Sequence, residues 1–276
     1  MSLFFVYITD KQRKGRLFMK DVLTIQQIRA HLQEGTYSEE MLSSWQEDHR
    51  TGVQKLMDAY KRKLVKEQEL REQYDHMCSF ENAYYAKGKQ YIAGIDEAGR
   101  GPLAGPVVAA AVILPRDAYI AGLNDSKQLS EAKREALYEQ IINTCIAYGV
   151  GIVTSQRIDE INIYQAAKQA MLEAVDELEC QPDHVLVDAM PLSELTCTYE
   201  SLIKGDQRSV SIAAASIIAK VTRDRMMKEA DTAYPGYGFK DHMGYGTKQH
   251  LEALRKQGIT PLHRLSFAPV KDLSRV

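Results

Sequence analysis

The fold is decided by one stretch, Tyr91-Ile-Ala-Gly-Ile-Asp-Glu-Ala-Gly-Arg-Gly-Pro-Leu-Ala-Gly-Pro106. It begins with a short apolar strand, Tyr91–Ile95, which leads into two adjacent acids and a turn rich in Gly and Pro. A second apolar run, Val107–Leu114, follows directly and is continuous enough to be a strand buried on both faces. Ala147–Thr154 has the pattern of a third strand. Short strands punctuated by Gly and Pro in this way indicate a β-sheet at the centre of the domain.

The remainder of this region alternates helices with strands. Val185–Val187 and Thr198–Ile203 predict a fourth and a fifth strand. Capping signals and helical spacing predict four helices, from Ser130 to about Ile146, Ile163–Leu178, Val210–Ala233 and Thr247–Gln257. Three strands in sequence, then helix–strand alternation, predict an α/β fold with a mixed five-stranded sheet flanked by helices. We expect the C-terminal part, from about residue 207, to be helical.

The sequence before residue 91 has a different composition. All eight prolines lie at or after Pro102, and Val53–Lys87 contains neither Gly nor Pro. Apolar residues at helical spacing predict one long amphipathic helix over Val53–Tyr85, and Thr24 with Gln27 has the spacing of a capping box. We therefore expect residues 1–90 to form a helical N-terminal extension and residues 91–276 to form the α/β domain.

Two roles for this extension stay open: a packing or scaffolding element, or an arm that grips phosphate. The basic residues of such an arm would be Lys61, Arg62, Lys63 and Lys66. The start of translation, Met1 or Met19, is open as well. The apolar stretch Leu3–Ile8 is followed rather than preceded by basic residues, which disfavours a secretory signal.

Composition restricts the class of protein. The chain has 276 residues, a hydrophobic content of 45% and a net charge of −2, enough for a packed core and about two domains. No apolar run approaches the roughly 18 residues that span a bilayer, so we expect no membrane segment. Four scattered cysteines without a Cys-x-x-Cys pair are typical of a reducing cytoplasm.

The near-neutral net charge first argues against a nucleic-acid partner, but it hides a division. Residues 204–276 carry 13 Lys and Arg against 7 Asp and Glu, whereas residues 1–203 carry 22 against 30. The basic C-terminal region is therefore suited to a nucleic-acid duplex, while the acidic region holds the carboxylates that follow.

Acidic residues stand at the exits of three predicted strands. Asp96 and Glu97 follow the first strand, Asp188 ends the fourth, and Asp206 follows the fifth. If these strands are neighbours, four carboxylates converge, and cations are needed to offset their repulsion. Hard oxygen ligands select Mg²⁺ or Mn²⁺, and two such ions can support phosphodiester hydrolysis. The alternative is that each acid only caps a turn or helix.

The turn Gly99–Pro106 is one residue away from the dinucleotide fingerprint and lacks a following Gly-Lys-Ser/Thr, so a nucleotide-binding loop is disfavoured. Its Gly-Arg-Gly segment offers backbone groups that can approach a ribose closely, with Arg100 available for a phosphate. Because a 2′-hydroxyl both donates and accepts hydrogen bonds, such a backbone could distinguish ribose from deoxyribose.

Six motifs together resemble bacterial ribonuclease HII, the type 2 ribonuclease H. They are Gly94-Ile-Asp-Glu-Ala-Gly-Arg-Gly-Pro-Leu-Ala-Gly-Pro106, Asn124-Asp-Ser-Lys127, Leu186-Val-Asp188, Lys204-Gly-Asp206, Ala215-Ser-Ile-Ile-Ala-Lys-Val-Thr-Arg-Asp224 and His242-Met-Gly-Tyr-Gly-Thr247. They cover residues from about 91 to 270 in the family's order, and the helical extension is similar to that of Gram-positive members. The resemblance implies a ribonuclease-H-like catalytic domain that depends on Mg²⁺ or Mn²⁺, with two ions expected. It implies cleavage of RNA in RNA/DNA hybrids and at single ribonucleotides in duplex DNA, leaving 5′-phosphate and 3′-hydroxyl ends.

The resemblance also implies roles for individual residues. Asp96, Glu97, Asp188 and Asp206 would be the catalytic and metal-binding acids. Gly99, Arg100 and Gly101 would inspect the 2′-hydroxyl, and Tyr245 would stack on the sugar that follows the scissile phosphate.

Other residues are assigned from the sequence. Lys127 either holds a phosphate or is a solvated loop residue, and Lys220, Arg223 and Arg225 lie off the inward stripe of Val210–Ala233, where they reach a nucleic-acid backbone or solvent. His242 and His263 have no partners at zinc-finger spacing and are expected to be structural or phosphate contacts. We expect a cytoplasmic monomer involved in ribonucleotide and RNA-primer removal.

Three rival functions stay open. A ribonuclease-HIII-like enzyme would need several consecutive ribonucleotides, a related-fold nuclease such as a recombinase core would act on DNA without ribose, and a non-catalytic protein would bind hybrids without cutting them. The Gly-Arg-Gly tripeptide, which ribonuclease HIII lacks, argues against the first.

Overall fold

A computed structural model describes residues 22–273, so the alternative start at Met19 and the stretch Leu3–Ile8 lie outside the described residues. The strands are β1 (Ile92–Ala98), β2 (Val107–Ile113), β3 (Ala147–Val153), β4 (His184–Asp188) and β5 (Thr198–Leu202). The helices are α1 (Ile25–Glu34), α2 (Glu39–Gln46), α3 (Thr51–Met77), α4 (Ser79–Tyr85), α5 (Glu131–Thr144), α6 (Ser155–Ile161), α7 (Ile163–Asp176), α8 (Val210–Ala233), α9 (Phe239–His242), α10 (Lys248–Gln257) and α11 (Val270–Leu273). Two 3₁₀ turns, Ser126–Gln128 and Gly205–Gln207, complete the order.

The five strands form one mixed sheet in the order β3-β2-β1-β4-β5, which confirms the predicted α/β architecture. β2 is antiparallel to both β1 and β3, whereas β4 and β5 run parallel to β1. The carboxyl ends of β1, β4 and β5 therefore meet at one edge of the sheet.

Helices cover both faces of the sheet. On one face, Ala167 and Met171 of α7 pack with Val187 in a continuous apolar cluster. On the other, α8 packs through Ala215 and Ile218. Gly94 of β1 allows α8 to approach closely, since a Cβ at this position would lie 2.0 Å from the backbone carbon of Ser211.

β1 is longer than the sequence pattern predicts. Asp96 and Glu97 lie within the strand rather than after it. The physical reason is that β1 pairs with parallel β4 only as far as Ile95, but its antiparallel pairing with β2 continues to Ala98. Asp96 and Glu97 therefore pair with β2 alone, because the pairing of β1 with β4 ends at Ile95.

The chain divides into two compact units within α3, between Glu69 and Leu70. In the first unit, α1 begins with the predicted capping box of Thr24 and Gln27, and Trp45 belongs to a small apolar cluster. The 1–90 boundary stays a prediction about domains. The part of the chain that the structure describes has no helix both long and apolar enough to span a bilayer.

The prediction of a single helix over Val53–Tyr85 is wrong. α3 ends at Met77, Cys78 intervenes, and α4 begins at Ser79. The interruption lets the two segments bury different side chains, since Tyr74 and Met77 join the cluster beneath α8, whereas Tyr84 packs against a second cluster that contains Leu186.

Candidate active site

Three carboxylates converge at the edge of the sheet where β1, β4 and β5 end. Asp96 lies near the end of β1, Asp188 is the last residue of β4, and Asp206 lies in the 3₁₀ turn after β5. One oxygen from each carboxylate lies within 4.8 Å of those of the other two. The strand order thus brings together three of the four acids that the sequence singled out.

The fourth acid, Glu97, lies beside this trio rather than in it. Its Oε1 is 3.3 Å from Nη1 of Arg100, the central residue of the Gly-Arg-Gly segment. Burial raises the pKa of Glu97 to about 6, against the lowering effect of Arg100, and the Asp188 carboxylate adds to the rise. Glu97 therefore links the acidic cluster to the glycine-rich turn.

The electrostatics of the cluster suit a divalent cation. Burial, followed by repulsion from Glu97 and Asp188, raises the pKa of Asp96 well above its usual value. Burial raises the pKa of Asp206 to about 6, with contributions from Asp125 and Asp188. Carboxylates that resist ionisation together are stabilised when a cation lies between them, and an all-oxygen donor set fits Mg²⁺ or Mn²⁺. The residues present therefore fit the divalent metals that the sequence led us to expect.

The backbone fixes the orientation of two of these acids. The amide of Gly205 donates to Asp188 Oδ1 at 2.6 Å, so the turn that carries Asp206 also holds Asp188. The amide of Glu97 donates to Asp96 Oδ1 at 2.8 Å. Hydrogen bonds to a carboxylate favour its charged form and restrict its rotation.

A polar loop beside the cluster places a lysine ammonium group next to the acids. Lys127 Nζ lies 3.7 Å from Asp206 Oδ2, while its side chain stays 74% exposed. The loop is held to α8, because Ser126 Oγ and Ser216 Oγ share a hydrogen bond of 2.8 Å. An exposed ammonium beside a metal-type cluster is available to an incoming phosphate.

Sequence reasoning missed Asp125 at this site. It is buried, its charge raises the pKa of the Asp206 carboxyl, and its Oδ1 accepts from the amide of Lys127 at 2.9 Å. The signal was present in the Asn-Asp-Ser-Lys motif, where an acid two residues before Lys127 has the spacing of an Asx turn. Asp125 thus shapes the loop and touches the acidic cluster at once.

Two buried arginines hold the Gly99–Pro106 turn. Arg264 donates to the carbonyl oxygens of Gly99, Arg100 and Gly105 at 2.6 to 3.0 Å. Arg223 donates to Pro106, Ala104 and Met243 at 2.9 to 3.1 Å. The expectation that Arg223 lies off the inward face of α8 is wrong, since its side chain is only 1% exposed. It contacts the turn from within the protein, where a nucleic-acid backbone does not reach it.

The other predicted contacts differ in exposure. Tyr245 is 46% exposed and open to a sugar or base. Lys220 is largely occupied by Asp224, 2.7 Å away on the next turn of α8. Arg225 pairs with Glu135 and Glu139 of α5.

The histidines of the C-terminal part form a buried cluster rather than phosphate contacts. His242, His250 and His263 are all at most 8% exposed, and His250 Nε2 lies 3.1 Å from His263 Nε2. His250 Nδ1 contacts the carbonyl oxygen of Tyr245 at 2.9 Å. The cluster therefore holds the backbone on which Tyr245 is presented.

Comparison with known proteins agrees with this geometry. The family model described as Ribonuclease HII matches residues 93–270, and the model described as Ribonuclease HII N-terminal domain matches residues 24–85. Ribonuclease HII of Bacillus cytotoxicus is 56% identical over 221 residues, which are 80% of this chain and 85% of that protein. Ribonuclease HII of Enterococcus faecalis is 57% identical over 205 residues, which are 74% of this chain and 80% of that protein.

Solved structures give the same result. Ribonuclease H2 of Pyrococcus horikoshii has a TM-score of 0.58 and 28% identity over 67% of this chain and 97% of that one. Bst-RNase HIII in complex with Mn²⁺ has a TM-score of 0.51 at 23% identity over 67% of this chain and 69% of that one, a likeness of fold. The family matches and the identities to curated relatives confirm the resemblance seen in the sequence. The chain belongs to the ribonuclease HII family and is a hydrolase, an endoribonuclease of RNA/DNA hybrids.

Proposed function

We propose that the chain cleaves the RNA strand of RNA/DNA hybrids and also nicks duplex DNA on the 5′ side of a single embedded ribonucleotide. The observation that carries this proposal is the convergence of Asp96, Asp188 and Asp206 beside a Gly-Arg-Gly turn, joined to it through Glu97 and Arg100. The acids supply a hydrolytic centre, and the turn supplies a ribose-reading backbone next to it. Cleavage and ribose recognition are therefore neighbours in the same site.

The reaction is hydrolysis of a phosphodiester. A bond forms between a water oxygen and phosphorus, and the bond from phosphorus to the 3′-oxygen breaks. The water gives up one proton, the 3′-oxygen gains one to become a hydroxyl, and the phosphate stays on the 5′-oxygen of the ribonucleotide. Two bound divalent ions, Mg²⁺ or Mn²⁺, would supply Lewis-acid activation of water and neutralise charge on the leaving oxygen.

The residues of the chain have separate duties in this proposal. Asp96 and Asp188 hold the ions, and Glu97 and Asp206 complete the carboxylate set. Lys127 and Arg100 contact phosphates near the cut, because both extend an exposed cationic group beside the cluster. Point contacts of this kind orient the strand before reaction.

Recognition of the sugar is assigned to the turn and to Tyr245. The backbone of Gly99, Arg100 and Gly101 would meet the 2′-hydroxyl, and the ring of Tyr245 would stack on the sugar that follows the scissile phosphate. Support comes from proximity, since a Cβ added to Gly101 would lie 3.6 Å from Cε1 of Tyr245. A deoxyribose at this point offers no hydroxyl to the backbone, so it is rejected.

One assay tests this function. Three end-labelled duplexes are incubated with the full-length protein and Mg²⁺ or Mn²⁺: one with a single ribonucleotide, one with four consecutive ribonucleotides, and one of DNA alone. We expect a nick 5′ of the single ribonucleotide, cleavage within the run of four, and an intact DNA control. Cleavage of the run alone would favour a ribonuclease-HIII-like specificity, and binding without any cleavage would favour a hybrid-binding protein.

The cellular setting follows from the same activity. Nicking at isolated ribonucleotides would serve their removal from DNA, and cleavage of hybrids would serve primer removal, in a cytoplasmic monomer. Light scattering of the purified protein measures the oligomeric state, and ribonucleotide content in the DNA of a deletion strain measures the repair role.

A further inference from the structure

Glu81 of α4 is a buried acid with an unusual set of partners. Its side chain is 3% exposed, and its Oε1 accepts from Ser209 Oγ at 2.6 Å and from the amide of Ser211 at 3.0 Å. Its other oxygen, Oε2, is buried without a hydrogen-bond partner among the described residues. A carboxyl in such surroundings is costly to bury, and its clearest structural effect is to fix the position of Ser209.

Ser209 joins this carboxyl to the turn that carries Asp206. Its hydroxyl donates to Glu81 and accepts from the amide of Ile212 at 3.2 Å, which caps the N-terminus of α8. Its amide donates to the carbonyl oxygen of Gly205 at 2.9 Å. Ser209 is therefore held by three directed bonds and closes the end of the segment Lys204–Ser209, which we call the acidic turn.

The acidic turn orients two of the converging carboxylates. Asp206 lies in it, and the amide of Gly205 donates to Asp188 Oδ1 at 2.6 Å. A displacement of Ser209 would move Gly205 through their shared hydrogen bond. It would thereby shift two carboxylates, one at the end of β4 and one in the turn after β5.

α4 is also attached to the sheet independently of Glu81, so the helix that carries Glu81 is held in place. Tyr84 Oη donates to Glu200 Oε2 of β5 at 2.6 Å, and the Tyr84 ring stacks on His184 of β4 at a centroid distance of 3.5 Å. The stacking lies at His184, the first residue of β4, and Glu200 pairs with Leu186, two residues before Asp188. These contacts hold α4 without touching the acidic turn.

We propose that Glu81 is a positioning residue that holds the acidic turn, and through it Asp188 and Asp206, in the arrangement that binds the metal. The inference rests on the proposed function, in which these acids are metal ligands. Glu81 belongs to the segment matched by the N-terminal family model, residues 24–85, yet it lies in the same compact unit as the acids. The last helix of that segment is thus a working part of the catalytic unit.

The test measures Mn²⁺ affinity in the full-length protein without substrate, by electron paramagnetic resonance of free Mn²⁺. Glu81→Leu removes the acceptor while filling similar space, and we expect Mn²⁺ binding to weaken by about tenfold, in the range seen for supporting residues of metal sites. Glu81→Gln retains an acceptor oxygen, and we expect it to stay within about threefold of wild type. Circular dichroism and urea unfolding establish that each variant is folded.

Two controls separate positioning from general packing. Tyr84→Phe removes the hydrogen bond between α4 and Glu200 but leaves the acidic turn alone, and we expect unchanged Mn²⁺ affinity. Ser209→Ala cuts the link from the other end and should weaken binding as Glu81→Leu does, with no further loss in the double variant. Ser209→Ala also provides the test if Glu81→Leu does not fold.

The outcomes separate the positioning role of Glu81 from the assignment of the acids as metal ligands. Wild-type Mn²⁺ affinity in folded Glu81→Leu or in Ser209→Ala overturns the positioning role, as does an equal loss in Tyr84→Phe. Asp188→Asn is measured alongside. If Asp188→Asn binds Mn²⁺ like wild type, the assignment of the acids as ligands has failed, whatever the Glu81 variants show.

Discussion

Arg264 Nη2 donates a hydrogen bond to the carbonyl oxygen of Gly99 at 2.6 Å, joining residues 165 positions apart. The same guanidinium also holds Arg100 and Gly105, and Arg223 holds Pro106 from the side of α8. Burial lowers the pKa of Arg264 to about 9 because it disfavours the charged guanidinium. The carbonyl oxygens that accept its hydrogen bonds stabilise that charge. The Gly99–Pro106 turn therefore takes its shape from two arginines beneath it as well as from its own glycines.

Replacing Arg264 should impair ribose recognition more than hydrolysis. In Arg264→Lys one ammonium replaces a planar group with several donors, so most bonds to the turn are lost. We expect kcat/KM on a single-ribonucleotide duplex to fall by at least about tenfold more than on a continuous hybrid, in keeping with charge-assisted bonds worth roughly 1.5–3 kcal/mol. Parallel steady-state kinetics on the two substrates measures this, with exposed Arg255→Lys as the matched control. Equal losses on both substrates would contradict the assignment.

Gly99 and Gly101 should respond differently to the same substitution. Gly99 has a φ of +95°, and a Cβ there would lie 2.1 Å from Nε of buried Arg223. Gly101 has open space, with its nearest new contact at 3.6 Å. We expect Gly99→Ala to lose about 2 kcal/mol or more of unfolding free energy and Gly101→Ala less than about 1 kcal/mol. Urea titration of the pair provides the measurement, and similar losses would refute the strain at Gly99.

The sheet was predictable because each of its strands has a local signature. The run Val107–Leu114 is apolar throughout, and the acids of β4 and β5 mark the ends of those strands, so the convergence of Asp96 with Asp188 required only the strand order. The end of β1 was missed because pairing with β2, a non-local property, extends it to Ala98. Periodicity within one segment does not report how far its partner continues.

The supporting residues were not predictable in the same way. Arg223 fits helical periodicity as an outward residue, yet it is buried because backbone carbonyls of a distant turn accept its donors. Glu81 is one acid among many in a charged segment, and only the position of Ser209 distinguishes it. Contacts of this kind depend on tertiary proximity, which residue type and spacing do not encode.

Neutralising a carboxylate of the cluster should abolish turnover but spare binding. In the proposed function Asp96→Asn and Asp188→Asn each remove a charged metal ligand, and we expect a loss of several kcal/mol of charge stabilisation to lower the rate on the order of a thousandfold. Hybrid affinity should be equal or higher, since one negative charge near the phosphates is gone. Single-turnover cleavage and fluorescence anisotropy separate the two effects. Cleavage by either variant within about tenfold of wild type in Mg²⁺ would refute its role.

Lys127 should affect substrate binding more than the chemical step. It is exposed, and its Nζ lies 3.7 Å from Asp206 Oδ2, where the proposed function expects a phosphate. We expect Lys127→Ala to raise KM by about tenfold and to reduce the slope of log affinity against log salt by about one. Lys168 of α7, on the opposite face of the sheet from α8, is the matched control, since its partner is Glu194. An unchanged salt slope for Lys127→Ala would argue against a phosphate contact.

The buried histidines should make the protein less stable in mild acid. The amide of Thr260 donates to His263 Nδ1, so His263 Nε2 carries a proton and donates to His250, whose Nδ1–H donates to the carbonyl oxygen of Tyr245. Both rings must be neutral for this chain of bonds, because an added proton on either would face another N–H. Burial, with repulsion from His250, lowers the pKa of His263 to about 4 from an ordinary value of 6.5.

The sign of the effect follows from this lowered pKa. Above about pH 6.5 both folded and unfolded chains hold a neutral His263, and stability is complete; as the pH falls towards about 4, only the unfolded chain gains a proton, and stability is lost. The loss is on the order of 3 kcal/mol for this group. Urea unfolding across that interval should show a shallower decline for His263→Asn than for wild type, with exposed His76→Gln unchanged in slope. Since the chain of bonds ends at the backbone of Tyr245, cleavage of single-ribonucleotide duplexes should weaken in His263→Asn even at neutral pH. Equal slopes in all three proteins would show that the histidine chain does not set the acid limit.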